Sequence, residues 1–415
     1  MFSGWWCWLQ FDEKDKVMRK ILIVPAFLFL VILFSACLSG CTAQGSEVPA
    51  EYRWASVEGS QVQEARAGEQ FYFNILVDEG MIAEGSPVNI KVSGKVSSGS
   101  VRFELRRPDG YPVWHSGTIN PGDYSISTTY AIPADQTGTY TLGLVYSANT
   151  TAIYNLGWHA LRLDPMILLP GIGMTLVALA FVIYAAHQKI LGWRYLGLGA
   201  LFWVLTVTVK FAFAIPVNPL VYQALGVTSD RLFSPGNLVA YLYIGALTGV
   251  FEAGLAWFIL SKIRWGQASW SEALVFGIGF GAIEAFLLGL VGFGSSLAAL
   301  LSLDVLPVSA LGSLANNATL GMGLAPVVER LSVIFAHIFS CVLILYGIVS
   351  GESKWGWLAI LYKTLLDAPA GFAAFWGANT LEKIWTLEAV IAIFGLVGLW
   401  GTIQVALRYP QRPND

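Results

Sequence analysis

Ionisable residues stand in otherwise apolar stretches of the chain, and their types suit the chemistry of hydrolysis. Glu252 and Glu284 supply carboxyl groups that can bind a metal ion or act as a general base, and His337 adds an imidazole. Lys363 and Asp367 form an i, i+4 pair, which places both side chains on one helix face. Because an ionisable group inside hydrocarbon needs a partner or a function, we expect these residues to converge on one site.

A polar stripe is predicted along the helix that carries His337. At about 100° per residue, Glu329, Val333, His337 and Ser340 fall on one face. Glu329 and His337 are separated by about 12 Å along a helix, so they cannot share one metal ion. We expect Glu329 to pair with Arg330 near the outer end of the helix or to act on the substrate side. Ser340 is expected to bond to the carbonyl group four residues earlier.

The composition indicates a membrane protein with two domains. Of 415 residues, 55% are hydrophobic and 12% are charged, whereas soluble domains carry about 25% charged residues. Residues 42–164 are polar and strand-like, 165–408 are almost continuously apolar, and 409–415 form a polar tail. The net charge of -3 is too small to indicate nucleic-acid binding, so the lipid bilayer is the expected environment.

Seven membrane-spanning helices are predicted in the apolar part of the chain, each near the required length of about 20 residues. The predicted spans are 165–187, 195–217, 236–260, 271–293, 324–350, 355–377 and 385–407. Residues 294–323 are rich in Gly, Ser and Asn and are expected to form a re-entrant or surface segment.

The basic residues predict the orientation of these spans. One set of loops holds Lys189, Arg194, Lys262, Arg264, Lys354, Arg408 and Arg412, and the other set holds Arg231 and Lys383. Cytoplasmic loops carry an excess of Lys and Arg. We therefore expect a multi-pass protein of a prokaryotic plasma membrane, with the N-terminal domain outside and the C-terminus in the cytoplasm.

The first 41 residues have the layout of a secretory signal, with Met18 as the natural start. A basic n-region and an apolar run from Ile21 to Phe34 are followed by small residues. Leu38-Ser39-Gly40-Cys41 resembles the prokaryotic lipobox, which implies cleavage before Cys41 and lipidation of its thiol. The alternative is an uncleaved signal anchor.

The polar domain is predicted to be an all-β immunoglobulin-like sandwich. Short β-rich runs such as 70–77, 101–105 and 139–146 alternate with turn signals such as Pro108-Asp109-Gly110. About seven strands in about 100 residues are typical of that fold. The domain has no cluster of His, Cys or acidic residues, so we expect a binding or spacing module whose ligand the sequence does not identify.

Small residues recur at intervals of four beside two of the candidate site residues. Near Glu252 these are Gly245, Gly249 and Ala253, and near Glu284 they are Gly277, Gly281 and Ala285. Such faces permit close helix contact. Lys210, on the second span, is expected to extend toward the outer interface.

In their order and membrane placement, these motifs resemble those of the YhfC family of intramembrane metalloproteases, related to the PrsW and CAAX-type prenyl protease group. The resemblance covers roughly 165–407. Phe251-Glu252-Ala253 is similar to a Phe-Glu-Glu motif, and Gly277 to Glu284 to Gly-x-Gly-His-Gly-x-x-Glu. Glu329-Arg330 with His337 and Ser340 is similar to a Glu-Arg, His and Ser pattern, and Lys363 to Asp367 to His-x-x-x-Asp.

The resemblance implies a zinc-dependent protease that acts on a membrane-embedded protein or peptide. It implies Glu252, Glu284 and His337 as catalytic residues, with Glu284 and His337 as metal ligands. Glu329, Arg330, Ser340, Lys363 and Asp367 would then support the site. The chain departs from the motifs at Ala253, Phe280 and Lys363, and no arginine follows Gly254 before Lys262. Catalytic zinc normally has three protein ligands, usually with several nitrogen or sulfur donors, so the remaining set is a poor one.

Charge counting favours a cluster that needs no ion. Four acids, Glu252, Glu284, Glu329 and Asp367, face three bases, Lys210, Arg330 and Lys363, and His337 can supply the fourth positive charge. Three classes of function follow. They are an active protease whose β-domain screens or recruits substrates, an inactive relative that binds membrane proteins as a receptor or scaffold, and a transporter. The resemblance disfavours the transporter.

Overall fold

The computed structural model describes residues 54–62, 65–77, 88–132, 136–159, 164–301, 306, 314 and 317–410. The predicted signal segment with Met18 and Cys41 lies outside these residues. The described chain divides into two compact units. The helical unit contains residues 169–294 and 320–410, and the other unit contains residues 54–168 together with 295–319.

Seven helices in the described part of the chain are long and apolar enough to cross a membrane, as the sequence predicts. They are α1 Pro165–His187, α2 Trp193–Leu225, α3 Pro235–Leu260, α4 Trp270–Leu301, α5 Leu320–Ser350, α6 Lys354–Trp376 and α7 Leu381–Ala406. α2 continues beyond its predicted end despite Pro216 and Pro219, and it stops where Gly226 adopts the left-handed conformation of a helix C-cap.

Helix α5 forms the centre of the helical unit. Its residues from Arg330 to Gly347 are buried, and it packs against α1, α6 and α7. A helix that is mostly apolar and buried on every side belongs in the core of a bundle. The polar residues predicted on α5 are therefore held among neighbouring helices.

The small-residue faces bring pairs of helices together. A Cβ atom added to Gly245 would lie 2.1 Å from the carbonyl oxygen of Thr364, so α3 contacts the backbone of α6. A Cβ atom added to Gly277 would lie 2.7 Å from Cα of Ile338, so α4 contacts α5 in the same way. The predicted close contacts are confirmed, and they place α3 and α4 beside the helices that carry Lys363 and His337.

The second unit contains an antiparallel β-sandwich. Its strands are β1 Trp54–Val62, β2 Gly68–Val77, β3 Val88–Ser98, β4 Val101–Arg106, β5 Pro112–His115, β6 Gly122–Tyr130, β7 Gly138–Tyr146 and β8 Thr151–His159. Alternating side chains from both sheets fill the core, among them Ile90, Phe103, Leu142 and Trp158. This pattern arises because successive residues of a strand point to opposite faces.

The two-sheet sandwich is confirmed, but its strand order is not that of an immunoglobulin domain. The eight described strands form two sheets in the orders β1-β8-β3-β6 and β2-β7-β4-β5. This is the order of a jelly roll, in which two Greek keys wind four strands into each sheet. Strand patterning reveals which segments are extended but not which strands pair, so the sequence predicts the sandwich and leaves its winding undetermined.

Candidate functional site

A cavity of about 270 Å³ lies within the helical unit. It is lined by Trp203, Val207, Lys210, Phe211, Glu252, Glu284, Leu288, Glu329, Arg330, Val333, His337, Lys363, Leu366, Asp367, Ala370 and Ile391. All the intramembrane site residues predicted from the sequence line it, except Ser340. Six of the seven spanning helices contribute to the walls, so the expected convergence of polar residues occurs in one place.

Glu252 is presented by an irregular turn of α3. The segment Gly249–Gly254 is π-helical, which inserts an extra residue into the helix and changes the direction of the side chains that follow. Such turns are frequent at functional sites. The Glu252 side chain is only 5% exposed, so its charge must be compensated inside the protein.

Two lysines compensate the charge of Glu252. Lys210 of α2 forms an ion pair with Oε1, and Lys363 Nζ of α6 lies 3.0 Å from Oε2. Lys210 also lies within 3.4 Å of the Thr248 hydroxyl oxygen. The expectation that Lys210 extends to the outer interface is therefore wrong, because a buried carboxylate within reach holds its ammonium group more strongly than the distant interface does.

Glu284 accepts hydrogen bonds from three residues on two other helices, α2 and α5. Trp203 Nε1 of α2 donates to Oε2 at 2.8 Å, and Arg330 Nη1 of α5 donates to Oε1. His337 Nε2, also of α5, lies 2.7 Å from the same Oε2 atom of Glu284. Both oxygens of Glu284 are therefore engaged by groups of the protein itself.

Two charged side chains contact the ring nitrogens of His337. Nε2 lies 2.7 Å from the Glu284 carboxylate and donates to it, and Nδ1 lies 3.4 Å from Lys363 Nζ. His337 thus links the carboxylate of α4 to the ammonium group of α6. The Phe280 ring packs beside it, with 5.1 Å between ring centroids.

Arg330 joins two carboxylates. It forms the predicted ion pair with Glu329 through Nη2, and it also binds Glu284 through Nη1. Ser340 does not reach this network, because its hydroxyl donates to the carbonyl of His337 at 3.0 Å. The acceptor is three residues earlier in the helix, not four as expected, and Ser340 takes no part in the cavity.

Two polar residues of this region were not predicted as members of the site. Trp203 lies seven residues before Lys210 on α2, a spacing that puts both on one helix face, and this was a signal that the sequence offered. Glu388 of α7 is 8% exposed and interacts electrostatically with Glu329 and Arg330. Its signal was a lone carboxyl group within an apolar span.

The donor set does not fit a zinc ion. Within the described part of the chain, no three His, Cys, Asp or Glu residues are grouped so that they could hold a metal. Around His337 the donors are one imidazole and the carboxylates of Glu252 and Glu284, and Lys363 already contacts both Glu252 and His337. A divalent cation placed between those residues would be repelled by this ammonium group.

Residues 173–391 match the model of a family described as YhfC intramembrane metalloprotease. The match covers more than half of the 415 residues and includes every residue that lines the cavity. No curated protein matches the chain.

Proposed function

This chain belongs to the YhfC intramembrane metalloprotease family, and we propose that its helical unit binds a segment of another membrane protein without hydrolysing it through a metal ion. The site, in this proposal, keeps the cavity of the family and replaces the charge of the metal with that of lysine and arginine side chains.

The position of Lys363 carries this proposal. Its Nζ lies 3.0 Å from Glu252 Oε2 and 3.4 Å from His337 Nδ1, between two residues that the resemblance assigns to catalysis. The resemblance places a metal-binding histidine at this point of the motif. An ammonium group there can neutralise carboxylates, but it has no lone pair to offer a metal ion.

The remaining residues lack a free general base. Activation of water requires a group that can accept a proton from it within hydrogen-bond distance. Glu284 already accepts from Trp203, Arg330 and His337, and Glu252 is paired with two lysines. Because neither carboxylate is free to accept a proton from water, the site suits the binding of a membrane segment better than its hydrolysis.

The cavity walls suit a membrane segment. Apolar side chains such as Phe211, Leu288 and Ile391 line it beside the charged residues, and the surrounding helices are long enough to span a bilayer. A bound segment of a membrane-embedded protein or peptide would meet both kinds of surface. We assign the role of recruiting such partners to the β-sandwich.

We also propose that the β-sandwich lies outside the cell and the C-terminus in the cytoplasm, from the excess of basic residues in the predicted inner loops. Cys41 is proposed as the lipidated first residue of the mature chain. Mass spectrometry of the mature N-terminus tests this, and an unmodified chain that begins at Met18 would contradict it.

The test of non-hydrolytic binding compares wild type with His337→Ala. Both proteins are reconstituted in vesicles with candidate single-span substrates, and binding and cleavage are followed separately. We expect wild type to bind a substrate and release no cleavage product. His187→Ala is the matched control, since that histidine is exposed at the end of α1. Cleavage by wild type and the control, but not by His337→Ala, would show an active protease.

A further inference from the structure

Contacts between α5 and α7 fix which of their residues lie side by side. Trp385 Nε1 donates to the carbonyl oxygen of Gly321 at 3.2 Å, near the start of both helices. Further along, a Cβ atom added to Gly395 would lie 2.9 Å from Cα of Ser332. Both pairs advance in the same direction, so the two helices are parallel with a nearly constant offset.

This offset places Glu388 beside the part of α5 that precedes Glu329 by about one helical turn. Glu388 is 8% exposed, and its Oε2 has no hydrogen-bond partner within the part of the chain that the structure describes. It interacts electrostatically with Glu329 and Arg330. Arg330 already binds Glu284 and Glu329, so Glu388 has no cation of its own there.

Asp367 is a second carboxyl group that the described residues leave without close compensation. It lines the cavity on α6, and it makes neither a hydrogen bond nor an ion pair with another described residue. Its electrostatic partner is Lys363, one turn away, which is already 3.0 Å from Glu252. Asp367 therefore faces the cavity with its charge only partly balanced.

Direct contacts among the described residues leave one acid of the cavity without a cation. Four of the lining residues are acids, namely Glu252, Glu284, Glu329 and Asp367, and three are cations, namely Lys210, Arg330 and Lys363. Lys210 and Lys363 contact Glu252, and Arg330 contacts Glu284 and Glu329, so none of the three contacts Asp367. A carboxylate inside a membrane that has no cation in contact favours a ligand that supplies one.

We propose that the membrane segment bound in this cavity carries a basic side chain, lysine or arginine, whose charged group lies between Asp367 and Glu329. This inference rests on the proposed function and names the feature of the substrate that is recognised. Apolar residues such as Val333 and Ile391, which line the same cavity, would contact the methylene stem.

An extended organic cation fits these carboxylates better than a metal ion does. No three acids, histidines or cysteines in the described ranges are close enough together to hold one metal ion. An ammonium or guanidinium group offers several N–H donors and reaches separate carboxylates from a flexible stem. Charge-assisted hydrogen bonds of this kind are about twice as strong as those between neutral groups.

The experiment uses the full chain in lipid vesicles and two fluorescent single-span peptides of about 20 residues. One peptide carries lysine at its centre, and the other carries methionine, which is also unbranched but has no charge. We expect the lysine peptide to bind about ten- to a hundredfold more tightly, the factor that a hydrogen bond between charged groups supplies. Asp367→Asn and Glu329→Gln should each reduce this ratio, and the double variant should bring it close to one.

Asp230→Asn is the matched control, since Asp230 is exposed in the loop between α2 and α3 and should leave the ratio unchanged. Thermal unfolding checks that each variant is folded. Equal binding of the two peptides by wild type would overturn the proposed recognition of a basic side chain, but it would leave the proposed binding of a membrane segment standing. A preference for lysine that survives the double variant would overturn the assigned carboxylates. If neither peptide binds, the proposed function fails together with this inference.

Discussion

Replacement of Arg330 by glutamine is expected to lower the free energy of unfolding by about 3–5 kcal/mol, the typical cost of removing one partner from a buried ion pair. Arg330 is the only residue that the structure shows bound to both Glu284 and Glu329, within the residues it describes. Its loss removes the cation that these two carboxylates share. Unfolding of the purified protein in detergent, followed during titration with denaturant, measures the effect.

Arg231→Gln provides the control for this prediction, because Arg231 is an exposed arginine in the loop between α2 and α3. It should change the free energy of unfolding by less than about 0.5 kcal/mol. Adding Glu284→Gln to Arg330→Gln should recover part of the lost stability, since it removes one of the uncompensated charges. A loss no larger than that of the control would show that Arg330 does not hold the network together.

Replacement of Gly245 by valine is expected to destabilise the helical unit by about 3 kcal/mol, at the upper end of the range for overpacked cores. The added Cβ atom would lie 2.1 Å from the carbonyl oxygen of Thr364, and a backbone atom cannot rotate away as a side chain can. α3 and α6 would have to separate. The contact between Glu252 and Lys363 lies between the same two helices, so binding to the cavity should weaken as well.

Gly197→Val is the matched control. It measures how the change from glycine to valine alters helix stability where the new side chain meets no neighbour. Gly197 lies in α2, is exposed, and has no atom within 4 Å of an added Cβ. Both variants are compared by thermal unfolding in the same detergent. Equal melting temperatures for the two variants would contradict the close contact between α3 and α6.

The spanning helices could be predicted because length and apolar composition are local properties. The ends of α2 and α4 were harder to predict. α2 continues through two prolines, and α4 continues to Leu301 into a segment predicted as a loop. Small and polar residues there indicate a loop, but neighbouring helices and residual apolar character can sustain a helix. The winding of the β-sandwich depends on contacts between distant strands, which no local pattern encodes.

The sequence predicted which residues belong to the site better than it predicted which of them pair with each other. Glu252, Glu284, His337 and Lys363 were identified because each is an ionisable residue in an apolar span. The sequence could not show that Lys210 turns inward to Glu252, since the predicted span 195–217 puts Lys210 about two turns from its outer end, from where a lysine can also extend to the interface. The partners of each carboxylate depend on helix rotation, which tertiary packing decides.

The metal content of the purified full chain tests the central claim most directly. After incubation with zinc and dialysis, wild type is expected to retain at most about 0.1 Zn²⁺ per chain, because its donor set lacks the nitrogen and sulfur ligands of a zinc site. The variant with Phe280→His and Lys363→His should gain zinc, since both substitutions add imidazoles beside His337. Phe276→His with Lys363→His is the matched control. About one bound zinc per chain in wild type would contradict the claim that the lysine and arginine side chains replace the metal.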